Sequence, residues 1–344
     1  MKNIKQTGVL LKPPAPTDYI MGGKTGIAEV ERIADGFWGD YLPTNEKQHN
    51  YSFDTMSCTT FSALNICEIQ MNWLIRNNFL SLKQIEWLNK NGYMDNKGNI
   101  NFSDRFTAIM SGTTKQGNYF TAVWDSIRKD GLLPDSDLPF DGNTWDEYHD
   151  KSKITDAMKE KAKKILDILT AQYEWVCYDE VPAFSEDQIS ACEKALKQAP
   201  IHIGIPVPAS HAITLYGLRN NKVNLLDHYS PFIFEKSAIK APIHFGLKGY
   251  VSIKKETTMQ YTFTKTLKYG MTDPQVANLQ RFLNTDDDTK VAVSGNGSAG
   301  KETNYFGILT QKAVVRFQKK YGLYADGIFG KNSSAKATEV QKKN

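Results

Sequence analysis

The sequence predicts an α+β domain followed by a small helical one, and three observations carry that expectation. Helical spacing of apolar residues dominates the first half, while three strand-like runs, PIHIGIPV, HAITLYGL and KVNLLDHY, crowd the stretch from Pro200 to Tyr229. A polar stretch, KKETTMQYTFTK, then separates a second unit with its own pair of amphipathic helices. At 344 residues the chain is long for one domain and comfortable for two. The expected division is residues 1–255, a linker over 256–262, and a helical unit over 263–344.

Residues 1–20 are Pro-rich and extended, and a loop-rich segment runs to about residue 50. From Phe61 the apolar residues fall at Phe61, Leu64, Cys67, Met71 and Leu74, which is helical spacing and predicts a buried helix reaching about Arg76. SLKQIEWLNKNG predicts a second helix with Gly92 as its C-cap. Residues 111–140 read as a Gly-containing turn, a helix with Val123, Trp124 and Ile127 inward, and a loop ending at Pro139–Phe140. A lysine-rich helix is expected over 155–171. Another starts at Ser185, with Ser185 and Gln188 forming a capping box, and buries Ile189, Cys192 and Leu196. GYVSIK, residues 249–254, is the expected last strand. The first half and the strands should enclose a cleft.

In the second unit VANLQ and VVRFQ, residues 276–280 and 314–318, have related cores, which reads as an internal pseudo-repeat. Asp273–Pro274 start the first helix as N-cap and N1. Thr310 is the expected cap of the second, Gly322 its end, and DGIFG a tight turn.

Composition bounds the function. With 40% hydrophobic and 23% charged residues and no apolar run long enough for a bilayer, no membrane span is expected. The N-terminus shows no secretory apolar core, which predicts cytoplasmic synthesis without signal-peptide export. Residues 257–344 carry 13 Lys/Arg against 7 Asp/Glu, and residues 1–256 carry 29 against 31. A basic second unit fits an anionic partner, whether nucleic acid, a membrane surface or a wall polymer. The cysteines are Cys58, Cys67, Cys177 and Cys192; no CxxC pair or close His/Cys cluster points to zinc, and no cofactor or metal is expected.

Cys58 stands at or just before the first turn of the buried helix, where backbone N–H groups and the helix dipole favour thiolate over thiol. A cysteine nucleophile needs a base, and the base needs an orienting partner. Of six histidines (His49, His149, His202, His211, His228 and His244), His211 opens an apolar strand after the PVPAS loop. The next strand ends at Asp227, and adjacent antiparallel strands would bring the two side by side.

CTTFSA resembles the active-site helix start of papain-like cysteine peptidases. QGNYFTAVWDSIRKDGLLPDSDLPF resembles that family's glycine turn, helix and following loop. ALKQAPIHIGIPV with SHAITLYGL is similar to its strand pair carrying the histidine, and KVNLLDHYSPF stands where its orienting asparagine strand does. The resemblance covers roughly residues 12–255. It implies a two-lobed papain-like fold, with Cys58 as nucleophile, His211 as general base and acid, and Asp227, in place of the usual Asn, as orienter. The residue after the nucleophile is Thr59 rather than an aromatic. The family's oxyanion glutamine usually lies six residues before the cysteine, where this chain has Ser52. Gln48, four residues further upstream, is the candidate if the loop has grown, with Asn50 the other amide nearby. Family members usually carry a long inhibitory propeptide, and the 57 residues before Cys58 leave no room for one.

LKYG, VANLQRFL, YFGILTQKAVVRFQKKYGL and DGIFGKNSS, over about residues 263–341, resemble the small peptidoglycan-binding domain of bacterial and phage wall enzymes. Ser333 or Ser334 replaces that family's usual threonine. The two resemblances together imply a cysteine peptidase directed to bacterial peptidoglycan, of the phage endolysin or virion-associated kind, acting on wall peptides after release or from a particle. They imply no nucleic-acid partner. A peptidase of proteins, and a non-catalytic wall-binding or virion protein, are the alternatives.

Overall fold

The computed structural model describes residues 8–10, 12, 14–15, 18–21, 30–178, 185–205, 211–238, 245–254 and 261–343, without the side chains of 342 and 343. The PVPAS loop, His244 and most of the expected linker lie outside them. The chain forms two compact units, Met1–Lys255 and Glu256–Asn344.

After a 3₁₀ turn at Gly39–Tyr41 the first unit runs through α1 (Cys58–Arg76), α2 (Leu82–Lys90), α3 (Asp104–Met110), α4 (Phe120–Asp130), α5 (Trp145–Tyr148) and α6 (Asp156–Lys164). Then come β1 (Leu169–Cys177), α7 (Glu186–Leu196), β2 (Ile201–Ile205), β3 (His211–Arg219), β4 (Lys222–Leu226), β5 (Ile233–Ser237) and β6 (Gly246–Ile253). The strands form one antiparallel sheet in the order β1-β6-β2-β3-β4-β5.

The buried α1 packs against β3 and β6. A helix this buried must satisfy its polar residues inside the protein, and apart from the Thr59 and Thr60 hydroxyls, which are buried without partners, α1 does so largely by tying its neighbours. The Ser62 carbonyl accepts from Thr214 Oγ1 of β3 at 3.1 Å. Gln70 donates to the Gly249 carbonyl and accepts from Val251 N of β6, each at 3.0 Å. Asn72 Oδ1 accepts from Ile100 N, and Glu68 Oε1 from Phe102 N. On β6, Gly249 leaves room for Trp124, whose ring a Cβ there would meet at 2.0 Å. So α4 lies close on the sheet.

Several boundaries differ from the sequence reading. The helix expected over 155–171 stops at Lys164, with a 3₁₀ turn over Ile165–Asp167, and Leu169 opens β1. The run LTAQYEWVC is rich in aromatic and β-branched residues, and its pairing with β6 overrides the helical spacing of Ile165, Leu166 and Leu169. α3, α5 and β5 were not anticipated. The capping box at Ser185 is present, as is a second one at Ser81 and Gln84.

The second unit holds α8 (Pro274–Asn284), α9 (Ile308–Lys320) and α10 (Lys331–Lys343), the last unanticipated. Asp273 caps α8 with Pro274 at N1, and Gly322 follows α9 at φ +67°. Thr310 does not cap α9: Gly307 holds that position without a side-chain bond, and Thr310 is buried one turn in. Its hydroxyl serves a clasp instead. Gln280 accepts from Thr303 N at 2.7 Å and donates to the Tyr305 carbonyl and Thr310 Oγ1, at 3.1 and 2.9 Å. Gln318 repeats the pattern, accepting from Gly327 N at 2.9 Å and donating to the Ile328 carbonyl and Ser333 Oγ, at 2.9 and 3.1 Å. Ser333 thus does for the second glutamine what Thr310 does for the first.

Candidate active site

Cys58 is the first residue of α1, and its side chain is wholly buried. The approach is a tight turn. Met56 has φ +57°, a left-handed conformation that is costly for a side chain of this size, and its N–H is held by Asp54 Oδ1 at 2.8 Å. Ser57 Oγ donates to the Thr55 carbonyl and fixes the next step.

His211 and Asp227 come from neighbouring strands. β3 starts at His211 and pairs with β4, which ends one residue before Asp227. His211 Nε2 lies 2.7 Å from Asp227 Oδ1. The ring also hydrogen-bonds the Cys58 sulfur, and the Ala212 N–H points at that sulfur from 3.4 Å. Burial alone would lower the imidazole's pKa, but the hydrogen bonds to Asp227 and Cys58 and their charges outweigh it and raise it to about 10. Asp227 is also buried, which would raise it; its bond to His211 and the nearby charge hold it below the usual carboxylate range. Its Oδ1 also accepts from His228 N at 2.6 Å.

Next along the chain, His228 is buried against Phe61 and is pushed down to about 3, chiefly by burial, so it stays neutral. The Tyr229 ring lies edge-on to His211 with centroids 5.3 Å apart and stacks on His49 at 4.9 Å.

Gln48 is brought to the same wall. His49 pairs with Asp54, and Asn50 N donates to the Phe53 carbonyl, so residues 49–54 form a small hairpin. The hairpin returns the chain so that Thr55 N meets the Gln48 carbonyl at 3.0 Å. Ser52 is exposed at its tip. The Asn50 side chain is committed to the hairpin and to the Gly142 carbonyl. Gln48 Nε2 donates to Asp54 Oδ1 at 3.0 Å and to the Tyr229 hydroxyl at 2.8 Å. The Tyr229 hydroxyl in turn bonds Asp54. Both amide protons of Gln48 therefore have protein partners, while its Oε1 is buried without one.

The arrangement brings a sulfur, an imidazole and a carboxylate together, with a side-chain amide tied in through Tyr229, whose ring lies against His211. That set is suited to nucleophilic acyl transfer. Asp54, His228 and Tyr229 were not anticipated, although the run Asp227–His228–Tyr229 shows that two of them sit beside a residue already singled out. Among the described residues no set of three His, Cys, Asp or Glu is arranged to hold a metal ion. No helix among them is long and apolar enough to cross a membrane.

Residues 272–336 match the family model of the putative peptidoglycan binding domain. No curated protein matches the chain. Among solved structures the chain is similar to xylellain, a cysteine protease from Xylella fastidiosa, at 13% identity and TM-score 0.39 over 74% of this chain and 98% of that one. It is also similar to digestive procathepsin L 3 of Tenebrio molitor larval midgut, at 13% identity and TM-score 0.39 over 72% of this chain and 76% of that one. A third likeness is to a periplasmic domain of the EpsAB fusion protein of the Vibrio vulnificus type II secretion system, at 13% identity and TM-score 0.19 over 50% of this chain. There the chain spans 64% of the other protein's length. Likenesses this low assign neither a substrate nor a residue's role.

Proposed function

We propose that this protein is a papain-like cysteine peptidase held at the bacterial cell wall by its C-terminal unit, as a phage endolysin or virion-associated lysin would be. The observation that carries the reading is the placing of His211, between the Asp227 carboxylate and the Cys58 sulfur. The sulfur, as thiolate, attacks a peptide carbonyl carbon, and the protonated His211 gives its proton to the leaving amine. The neutral imidazole then takes a proton from water, whose oxygen attacks the thioester. This releases the acid and restores the starting pair. Asp227 holds the ring and favours its charged form.

The developing oxyanion needs donors. The Cys58 N–H at the helix start supplies one, because the first turn leaves its N–H groups without intrahelical partners. Gln48 supplies the second by releasing one N–H from Tyr229 or Asp54. The C-terminal unit, matching a peptidoglycan-binding model over residues 272–336, raises the enzyme's local concentration on its polymer.

Purified sacculi and an unfolded protein, each incubated with wild type and with Cys58→Ala, test the reading, with products identified by mass spectrometry. Wild type should release wall peptides with new amino and carboxyl ends, and Cys58→Ala should release none while still binding sacculi. Hydrolysis that survives in Cys58→Ala removes the nucleophile. Cleavage of the unfolded protein alone makes the enzyme a protein peptidase.

A further inference from the structure

Three donors converge on Asp54. Its Oδ1 accepts from Gln48 Nε2 at 3.0 Å and from Met56 N at 2.8 Å, and its Oδ2 accepts from the Tyr229 hydroxyl. Each donor belongs to a part that the proposed chemistry uses. Gln48 carries the side-chain amide, and Met56 is the left-handed turn that leads into Cys58. Tyr229 lies two residues after Asp227, with its ring edge-on to His211. The backbone of Asp54 is fixed as well, bridged to His49, whose ring stacks on Tyr229.

These bonds run in one direction. Gln48 Nε2 donates to the Tyr229 oxygen at 2.8 Å, and the Tyr229 hydroxyl donates to Asp54. Burial first, and then the Asp54 charge and hydrogen bond, push the Tyr229 phenol well above its usual range, so the hydroxyl keeps its proton and aims it at Asp54. A carboxylate only accepts, so Asp54 sets the direction of the chain and draws the N–H₂ end of the amide to its side. The consequence appears at the other end, where Gln48 Oε1 is buried without a partner. Reversing the amide would set that oxygen against Asp54 Oδ1, acceptor against acceptor. The two bonds of Gln48 are also unequal. The one to Asp54 is assisted by charge. The one to Tyr229 reaches a neutral hydroxyl that stays bonded to Asp54 after the amide has left.

We propose that Asp54 is the positioning residue of the oxyanion site: it selects the donor end of Gln48, ties it to the turn that leads into Cys58, and leaves the N–H on Tyr229 as the one handed to the oxyanion. Asp54 acts through Gln48 and not on the substrate. This inference rests on the peptidase reading, and one of its readouts needs no substrate.

Asp54→Asn reverses the chain. Met56 N holds the introduced amide oxygen at the Oδ1 place, so the new N–H₂ falls on the Tyr229 oxygen. The hydroxyl must then turn its proton to Gln48, and the Gln48 amide must reverse to receive it. kcat and KM on one peptide substrate are measured for wild type, Asp54→Asn, Tyr229→Phe and the double variant, with a thermal melt and a ¹H–¹⁵N spectrum of each. The Gln48 side-chain pair is the one missing from the spectrum of Gln48→Ala. Asp54→Asn should lower kcat by roughly the 10²–10³ that loss of an oxyanion donor costs, with KM nearly unchanged, and should move the Gln48 pair. Adding Tyr229→Phe removes the hydroxyl that forces the reversal, so the double variant should recover to the kcat of Tyr229→Phe alone. A side chain that only stabilised the fold would give losses that multiply. No recovery in the double variant, or an unmoved Gln48 pair in folded Asp54→Asn, overturns the proposal. Should Asp54→Asn fail to fold, Tyr229→Phe decides: one proton of the pair should shift while the other, still on Asp54, stays, and movement of both or neither overturns it. A pair that moves as expected, with no peptide hydrolysed by any form, keeps Asp54 as the group that aims the amide and removes the peptidase reading. Hydrolysis by wild type that Asp54→Asn leaves at full rate does the reverse.

Discussion

At the scale of single residues, the proposed site depends on one amide whose protons are already in use. Gln48 donates to Asp54 and Tyr229, so its part in the chemistry requires an exchange of partners. Removing one oxyanion donor costs about 10²–10³ in turnover, and Gln48→Ala should lose kcat by that order with little change in KM. Tyr229→Phe frees one amide proton but loosens the group that aims it, and the expected result is a smaller fall in kcat. Steady-state kinetics on one peptide substrate measure both, and a silent Gln48→Ala with a large loss in Asn50→Ala would move the role to Asn50. His211 gives a pH signature. Its folded pKa, about 10, lies above the unfolded value, so the stability it contributes is complete below about pH 6.5 and is lost as pH rises through 10. Urea unfolding at pH 7 and pH 10 should show that loss in wild type and much less of it in Asp227→Asn. Of these residues, Cys58, His211 and Asp227 stand at element ends that periodicity marks, but only the family resemblance singles them out as a set; the fold brings the three together. Gln48 was legible only through a family's spacing. Asp54 and Tyr229 were not, since their roles arise from a hairpin and a ring packing that no local pattern announces.

At the scale of elements, periodicity read well where one face is buried and poorly where neighbours decide. α4 shows Val123, Trp124 and Ile127 fully buried, as their spacing implies. Ile165, Leu166 and Leu169 fit a helical stripe, but β1 owes its strand character to β6, nearly eighty residues later in the chain. α10 was missed for lack of an apolar stripe, yet IFG precedes it as YFG precedes α9. The two glutamine clasps give that repeat a physical use. Each closes a loop onto a helix through one buried amide, and an unpaired buried polar group costs about 1–3 kcal/mol. Gln318→Ala strands Gly327 N and unties the loop from Ser333, so it should destabilise a 257–344 fragment by roughly 2 kcal/mol. For a domain of this size that corresponds to a melting point lower by about 10 °C. Lys312→Ala, on the exposed face of α9, should leave the melt nearly unchanged. Equal melts for the two variants would mean the clasp is dispensable.

For the whole molecule, the charge division matters most. The 257–344 fragment, with 13 basic residues against 7 acidic, should pellet with purified sacculi at low and moderate salt. A fragment left in the supernatant at both would end the wall-binding reading; loss on adding salt alone would make the attachment mainly ionic. The first unit's division into early helices and late strands has a consequence in time. Synthesis runs from the N-terminus, and domains begin to fold as they emerge. Cys58 and Asn118 are both made well before His211 and Asp227. The sulfur and the backbone edge at Asn118 thus exist before the strands bearing His211 and Asp227 are made. A ribosome making this chain finishes the helix that carries the sulfur before it starts the strands that carry His211 and Asp227, so the proposed nucleophile is in place long before its proposed base is made.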